Sequence, residues 1–139
     1  MGVSLKILIC LSMLCLAASM MTGGWQKELN PNSESIQKYA KFATAKVSAS
    51  SNSLHHLKLT RISNVEKQVV SGMNYKMTIT MAPTECKKNG NSTQLNIDEC
   101  PLLKCGAPNI CNVTVWVQAW MENGIKLTKS SCTQGVSAC

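Results

Sequence analysis

Apolar residues recur at helical spacing in one stretch near the start of the chain. Four of them, separated by four, three and four positions, fall on one face of a helix: Ile36, Ala40, Ala43 and Val47. Asn32 or Ser33 is the candidate N-cap, and Glu34 falls in the first turn, where a negative charge is favourable. Residues 48–53 are rich in Ser and Asn and predict the end of the helix.

Downstream of this helix, apolar and polar residues alternate as they do in β-strands. Leu57 and Leu59 begin one strand that runs toward Val69. Two further strands each have one apolar face, made of Tyr75, Met77, Ile79 and Met81 in the first and of Val113, Val115 and Val117 in the second. Asn123-Gly124 predicts a hairpin that leads into a fourth strand from Ile125. One helix followed by about four hairpin-linked strands predicts an α+β domain with an antiparallel sheet.

The chain begins with the pattern of a secretory signal peptide. Lys6 supplies a positive charge, residues 7–18 form an apolar run, and Ala17, Ala18 and Ser19 are small enough for a cleavage site. This run is too short to span a bilayer. We therefore expect a signal peptide at 1–19 and one secreted, extracellular domain at 20–139, with no membrane partner.

Eight cysteines indicate disulfides rather than a metal site. Cys10 and Cys15 belong to the predicted signal peptide, and six remain: Cys86, Cys100, Cys105, Cys111, Cys132 and Cys139. An even number in an exported chain favours three disulfides. Zinc is the alternative, but no pair has C-x-x-C spacing and both histidines lie far upstream. The segment between Cys86 and Cys111 has no regular alternation of apolar and polar residues, and we expect it to be a cross-linked loop region.

The predicted mature chain is basic. Without Lys6, 13 of the 14 basic residues stand against 7 acidic ones, which gives a net charge of +6. The lysines are scattered, with only Lys87 and Lys88 adjacent, and no stacking aromatics lie between them, so nucleic acid is not an expected partner. Attraction to anionic polysaccharide or acidic proteins stays open, as does an ordinary solvated surface.

No group of residues indicates catalysis. His55 and His56 are the only histidines and are adjacent, in a stretch that we interpret as a loop, and Asp98-Glu99 is the only acidic pair. With all mature cysteines oxidised, no thiolate nucleophile is available. We expect no enzyme activity, no metal and no cofactor.

The most informative motif lies at the end of one predicted strand and just before the next. It reads Q-x-V-x-G and consists of Gln68, Val69, Val70, Ser71 and Gly72. At ordinary residue frequencies, such a match arises by chance in roughly 2% of chains of this length. A plain hairpin turn with glycine at positive φ would account for it equally well, so its interpretation depends on other features.

The order of these other features resembles that of type 2 cystatins, small secreted inhibitors of papain-like cysteine proteases. Gly23-Gly24 precedes the helix, the Q-x-V-x-G motif joins two strands, and Trp120 lies near the final hairpin. Four cysteines follow the motif as two successive pairs: Cys86, Cys100, Cys111 and Cys132. The resemblance covers nearly the whole predicted mature chain and includes residues 67–75, 98–101 and 129–132. It implies a cystatin-like fold, in which an antiparallel β-sheet of four to five strands wraps around one long α-helix.

The resemblance also implies a function: reversible, tight inhibition of cathepsin-type proteases by a wedge that fills the active-site cleft. Gly23 or Gly24 would let an N-terminal arm swing, so that Met21 and Thr22 lie along the non-primed subsites. Residues 68–72 would form the central edge, and Trp120 would be an aromatic anchor on the primed side. A strand residue packed on a sheet face is the alternative interpretation of Trp120.

Two features depart from the family pattern. Ala119 stands where the family has the Pro of a Pro-Trp pair, which leaves the rigidity of that contact open. The family pairing implies the disulfides Cys86–Cys100 and Cys111–Cys132. It leaves Cys105 and Cys139, which have no counterparts in the family, to pair with each other.

Further expectations follow from the same resemblance. Some cystatins inhibit legumain, an asparagine-specific protease, through a segment that corresponds to Ser51, Asn52 and Ser53. A Ser/Asn-rich helix end without a partner is the alternative. Asn91 and Asn112 match the glycosylation sequon, and Asn112 is expected to be less accessible because it enters a strand. We expect a monomer. The rival function is that of a non-inhibitory cystatin-fold protein, acting as a cationic host-defence or polysaccharide-binding factor.

Overall fold

The computed structural model describes residues 23–89, 95–137 and 139. The predicted signal peptide at 1–19, Met21 and Thr22 of the arm and the sequon at Asn91 lie outside these residues. In chain order the elements are β1 (Gln26–Lys27), α1 (Glu34–Ser50), β2 (His55–Val70), β3 (Gly72–Lys87), a 3-10 helix (Ile97–Glu99), β4 (Asn109–Val117) and β5 (Ile125–Gln134).

Side-chain hydrogen bonds stabilise both ends of helix α1. Of the two candidate N-caps, Ser33 is the one used, since its hydroxyl accepts a hydrogen bond from the backbone N–H of Ile36 at 3.3 Å. The last turn contains no basic residue. Instead, the Lys88 ammonium reaches across from the end of β3 and donates to the carbonyl oxygens of Ser48 and Ser51. This cation adds a charged donor at the C-terminal end of the helix, where a positive charge is favourable.

The sheet follows the chain without crossovers. Its strand order is β1-β2-β3-β4-β5, and every neighbouring pair is antiparallel. This confirms the predicted α+β fold, with α1 packed on one face of the sheet. His55 and His56 are the first two residues of β2, so the interpretation of that stretch as a loop was wrong. Nothing in the sequence indicated this strand start, because both residues are polar. Only the pairing of His55 with Lys87 places them in the sheet.

The core lies between α1 and the inner face of the sheet. The four helix residues of the predicted apolar face are all buried, and Ala40 and Ala43 are completely so. Their small side chains let the backbone of α1 approach the long side chains of Met77 and Met81 in β3. Because residues alternate along each strand, the residues between the core positions face outward. That alternation produces an inner apolar face and an outer polar one.

Three disulfides connect the described cysteines. Cys111–Cys132 joins directly opposite residues of β4 and β5. Cys86–Cys100 ties the end of β3 to the residue after the 3-10 helix. Cys105–Cys139 joins the loop before β4 to the C-terminus. These are the pairs that the family resemblance implies. Neither helix within the described ranges is long and apolar enough to cross a bilayer.

Candidate functional site

The Q-x-V-x-G motif forms the tip of the β2–β3 hairpin. Strand β2 ends at Val70, β3 starts at Gly72, and only Ser71 lies between them. Gly72 has φ of +91°, and a Cβ at this position would lie 2.3 Å from the carbonyl oxygen of Val117 in β4. Both the backbone conformation and the close approach of β4 therefore require glycine here.

Apolar side chains at this tip face solvent. Val69 is 65% exposed and Val70 is 40% exposed. Paired strands normally bury such residues on one face, and a cluster of exposed apolar side chains commonly marks an interaction site. The tip is thus shaped as a contact surface of small side chains on a rigid hairpin.

A second segment, the loop of residues 118–124 between β4 and β5, lies beside this tip. Val117, the last residue of β4, pairs with Met73, the second residue of β3. Trp120 within the loop is 63% exposed, which rules out the alternative that it packs on a sheet face. The predicted hairpin is present, with a loop of seven residues between the strands. Asn123 has positive φ but Gly124 does not, so the pair does not form a two-residue type I′ turn.

Two backbone hydrogen bonds constrain this loop, which has Ala119 where the family pattern has a proline. The Gln118 N–H donates to the carbonyl oxygen of Gly124 at 2.7 Å, and the Met121 N–H donates to the carbonyl oxygen of Gln118 at 3.1 Å. Ala119 and Trp120 lie between these anchors. The first bond closes the loop at its base, and the second forms a tight turn over residues 118–121 that contains Trp120.

The third segment is Gly23-Gly24, which lies on the other side of the tip. The Gln68 side chain donates from Nε2 to the carbonyl oxygen of Gly23 at 2.9 Å. A Cβ at Gly23 would lie 2.2 Å from the carbonyl oxygen of Val69, whereas a Cβ at Gly24 would meet no atom within 4 Å. Gly23 is thus anchored to the tip, and Gly24 is the unobstructed one of the two.

Glu28 fastens the chain just behind Gly23-Gly24. Its N–H donates to the carbonyl oxygen of Val65 at 2.9 Å, and its carboxylate lies 3.3 Å from the Lys67 ammonium. The backbone N–H of Asn30 donates to the same carboxylate at 3.1 Å. That hydrogen bond, together with Lys67, holds the pKa of Glu28 below its ordinary value, although partial burial opposes the effect.

Trp116 also belongs to this site, and the sequence interpretation missed it. Its indole Nε1–H donates to the carbonyl oxygen of Ser71 at 2.8 Å, so β4 holds the tip from the outer face. The Lys126 ammonium lies 5.8 Å from the centroid of the indole. The alternation of β4 did contain a signal, because it places a large aromatic residue among outward polar positions.

Gly23-Gly24, residues 68–72 and residues 118–124 therefore form one group, which we call the sheet-end cluster. Ser51, Asn52 and Ser53 lie at the opposite end of β2, between α1 and His55. The sixteen residues of β2 separate the two ends by roughly 50 Å of strand. Asn52 is exposed, and its neighbours are fixed: Ser51 bonds to Lys88, and Ser53 bonds to the backbone of His55.

The remaining candidate residues lie apart from the sheet-end cluster. Asn112 is exposed on the outer face of β4, where its Oδ1 accepts a hydrogen bond from the Thr78 hydroxyl at 2.8 Å. The expectation of low access was therefore wrong, because the residue alternates outward. In the part of the chain that the structure describes, no three His, Cys, Asp or Glu side chains gather as a metal site requires.

Comparison with known proteins agrees with this geometry. A family model described as "Cystatin domain" matches residues 24–120. Cystatin-1 of Chilobrachys guangxiensis is 39% identical over 134 residues, which cover 96% of this chain and 98% of that protein. L-cystatin of Tachypleus tridentatus is 38% identical over 110 residues, covering 79% and 80%. The structure of dimeric human cystatin F has the same fold, with a TM-score of 0.72 at 22% identity over 81% of this chain and 88% of that one.

Proposed function

The chain belongs to the cystatin family of cysteine protease inhibitors, and from this we propose that it inhibits papain-like proteases of the cathepsin type by occupying their active-site cleft. Binding is reversible, and the sheet-end cluster is the contact surface. The protein acts as an inhibitor and not as an enzyme.

The observation that carries this proposal is the convergence of three segments at one end of the sheet. Gly23, the tip at residues 68–72 and Trp120 come from distant parts of the sequence, yet hydrogen bonds and strand pairing bring them together. Because these contacts exist before any partner binds, little ordering free energy is lost on association. Exposed Val69, Val70 and Trp120 supply the apolar surface that a protease cleft would bury.

Active-site titration of papain and a cathepsin with the purified mature chain tests the proposal. We expect tight, reversible inhibition. Trp120→Ala should weaken papain binding by about 30-fold, the loss typical of a central aromatic contact. Leu54→Ala is the matched control, since Leu54 is 77% exposed but lies at the opposite end of β2. Absence of inhibition by the wild-type chain would contradict the proposal and favour the non-inhibitory rival function.

We further propose a second inhibitory site for legumain at Ser51, Asn52 and Ser53. An exposed asparagine held between two fixed serines suits an asparagine-specific protease, and this segment is remote from the sheet-end cluster. Asn52→Lys should abolish legumain inhibition and leave papain inhibition unchanged. Asn32→Lys, at the other end of α1, introduces the same charge at another exposed asparagine and should affect neither enzyme. Equal legumain inhibition by wild type and Asn52→Lys would remove this site.

The processing of the chain completes the proposal. Cleavage of the signal peptide at 1–19 yields a secreted monomer of residues 20–139 with an N-glycan at Asn91. Asn112, whose side chain is hydrogen-bonded to Thr78 within a paired strand, is the second candidate site. Intact mass and N-terminal sequencing of protein secreted from eukaryotic cells, with and without glycosidase, test the cleavage site and both sequons. Size-exclusion chromatography with light scattering tests the monomer.

A further inference from the structure

The outer face of the sheet collects much of the positive charge of the chain. Five basic side chains at outward strand positions make no bond to a loop: Lys27, Arg61, Lys76, Lys126 and Lys129. Lys58 also pairs at an outward position, with Ala82, but its ammonium donates to the carbonyl oxygens of Asp98 and Cys100 and is not one of the five. In the same strand rows only one acidic side chain, Glu66, faces outward, and it forms an ion pair with Lys76 at 2.9 Å. Five cations against one anion give this surface a net charge of +4, and we call it the basic face.

Strand pairing arranges these cations regularly. Lys27 in β1 and Lys76 in β3 both pair with Glu66 of β2, and Thr114 connects Lys76 to Lys129 in β5. Because neighbouring strands lie about 4.8 Å apart, the three lysines recur about every 10 Å across the sheet. A flexible lysine cluster would not have such a fixed repeat.

Uncharged polar groups fill the centre of the basic face. One row across four strands consists of Ser63, Thr78, Asn112 and Ser131. The row of Lys27, Lys76 and Lys129 lies on one side of it, and Arg61 lies on the other side. Hydroxyl and amide groups bond well to sugar hydroxyls, and the flanking cations suit sulfate or carboxylate groups.

The aromatic residues on this face do not suit single-stranded nucleic acid. Proteins that bind such strands stack bases on open aromatic faces. Trp25 has the Lys76 ammonium 4.4 Å from its ring centroid, and Trp116 has Lys126 over its ring. Both indoles are thus already occupied by cations. On each of these two described rings, a lysine ammonium takes one side on which a base would otherwise stack.

The geometry points to the basic face as a binding surface for a sulfated polysaccharide. It would act alongside protease inhibition, since of the five cations only Lys126, over the Trp116 ring, contacts a residue that holds the tip, and Arg61 and Lys129 lie farther along the strands. Such binding would retain the inhibitor on anionic matrices outside the cell. The interaction is electrostatic and therefore weakens as salt is raised.

Heparin binding by the mature chain, refolded from bacteria without glycans, tests this inference in about 0.15 M salt. Substituting Lys27, Arg61 and Lys129 together with serine should raise the heparin dissociation constant about tenfold, since each exposed cation contributes modestly. The matched control replaces Lys46, Lys87 and Lys104, three exposed lysines that are not on the basic face. It removes the same charge and should change binding less than about twofold.

Papain inhibition and urea unfolding are measured on the same preparations and should be unchanged in the Lys27/Arg61/Lys129 variant. A result in which both triple variants lose heparin affinity equally would overturn the inference, since the binding would then reflect net charge alone. Absence of heparin binding by wild type at this salt would also overturn it. Equal or tighter binding of DNA of matched charge would assign the surface to nucleic acid instead.

Discussion

Replacing Gly72 with alanine tests whether backbone geometry fixes the tip of the β2–β3 hairpin. Gly72 has φ of +91°, in a region that L-residues with a side chain rarely adopt. The added methyl would also lie 2.3 Å from the carbonyl oxygen of Val117. The substitution therefore changes both the turn and the spacing between β3 and β4.

The two effects have comparable size. A non-glycine residue held at positive φ costs about 1–3 kcal/mol. Forcing β4 away from an added methyl costs about 1–3 kcal/mol more. We expect Gly72→Ala to lower the free energy of unfolding by about 2–6 kcal/mol, a large fraction of the total for a domain of this size. Its melting temperature should fall by about 8–24 °C, at about 4 °C per kcal/mol.

Inhibition should fall as well, because Val69 and Val70 precede the displaced turn. If the variant must regain the native tip conformation in order to bind, the strain lowers the binding free energy. A loss of about 1.4 kcal/mol would make papain binding about tenfold weaker. Urea unfolding followed by circular dichroism gives the stability, and competitive inhibition of papain gives the affinity. Gly24→Ala is the matched control, since its methyl meets no atom within 4 Å and should not lower stability.

The reasoning fails if Gly72→Ala unfolds within about 0.5 kcal/mol of wild type, the range of ordinary surface substitutions. Equal losses of stability in the Gly72 and Gly24 variants would refute it too. In that event the tip would tolerate a side chain, and its close approach to β4 could not explain the glycine.

Three further changes have defined outcomes. Trp116→Phe removes the indole donor to Ser71 while it keeps an aromatic ring, so it should cost about 1 kcal/mol in urea unfolding and weaken papain binding by about fivefold; unchanged inhibition would show that Trp116 does not position the tip. Glu28 has a folded pKa below its ordinary 4.5, so its stabilising effect is present above that value and is lost as the pH falls through the lower folded pKa. The free energy of unfolding in urea should therefore fall less between about pH 6 and about pH 3 for Glu28→Gln than for wild type. Replacing Cys105 and Cys139 together with serine opens a loop of 34 residues and should lower the free energy of unfolding by about 4 kcal/mol, measured by the same unfolding experiment.

The sequence predicted those elements whose periodicity directly reflects burial. Ile36, Ala40, Ala43 and Val47 all lie in the core, and the alternating apolar strand residues lie in the core or pack against it. Ser33 was identifiable as a cap because its hydroxyl acts within one turn. Strand β1 was not predictable, because Gln26–Lys27 is only two exposed residues long and exists through backbone pairing with β2.

The composition of the tip was predictable, but the contacts that fix it were not. The hydrogen bond from Gln68 to Gly23 and the bond from Trp116 to Ser71 each join residues 45 positions apart. No local pattern encodes such pairs, because they depend on the register of β2, β3 and β4. Likewise, the seven-residue loop around Trp120 depends on the conformations of Asn123 and Gly124, which the Asn-Gly pair alone leaves open.

The two hydrogen bonds that secure the tip share one property: each ends on a main-chain carbonyl, that of Gly23 or that of Ser71. The side chains of residues 69–71 therefore take no part in these bonds. Their identities can change in a library, or during evolution, without disturbing the anchors on either side. A display library randomised at these three positions, with Gln68, Gly72 and Trp116 kept, should yield folded variants with altered protease selectivity.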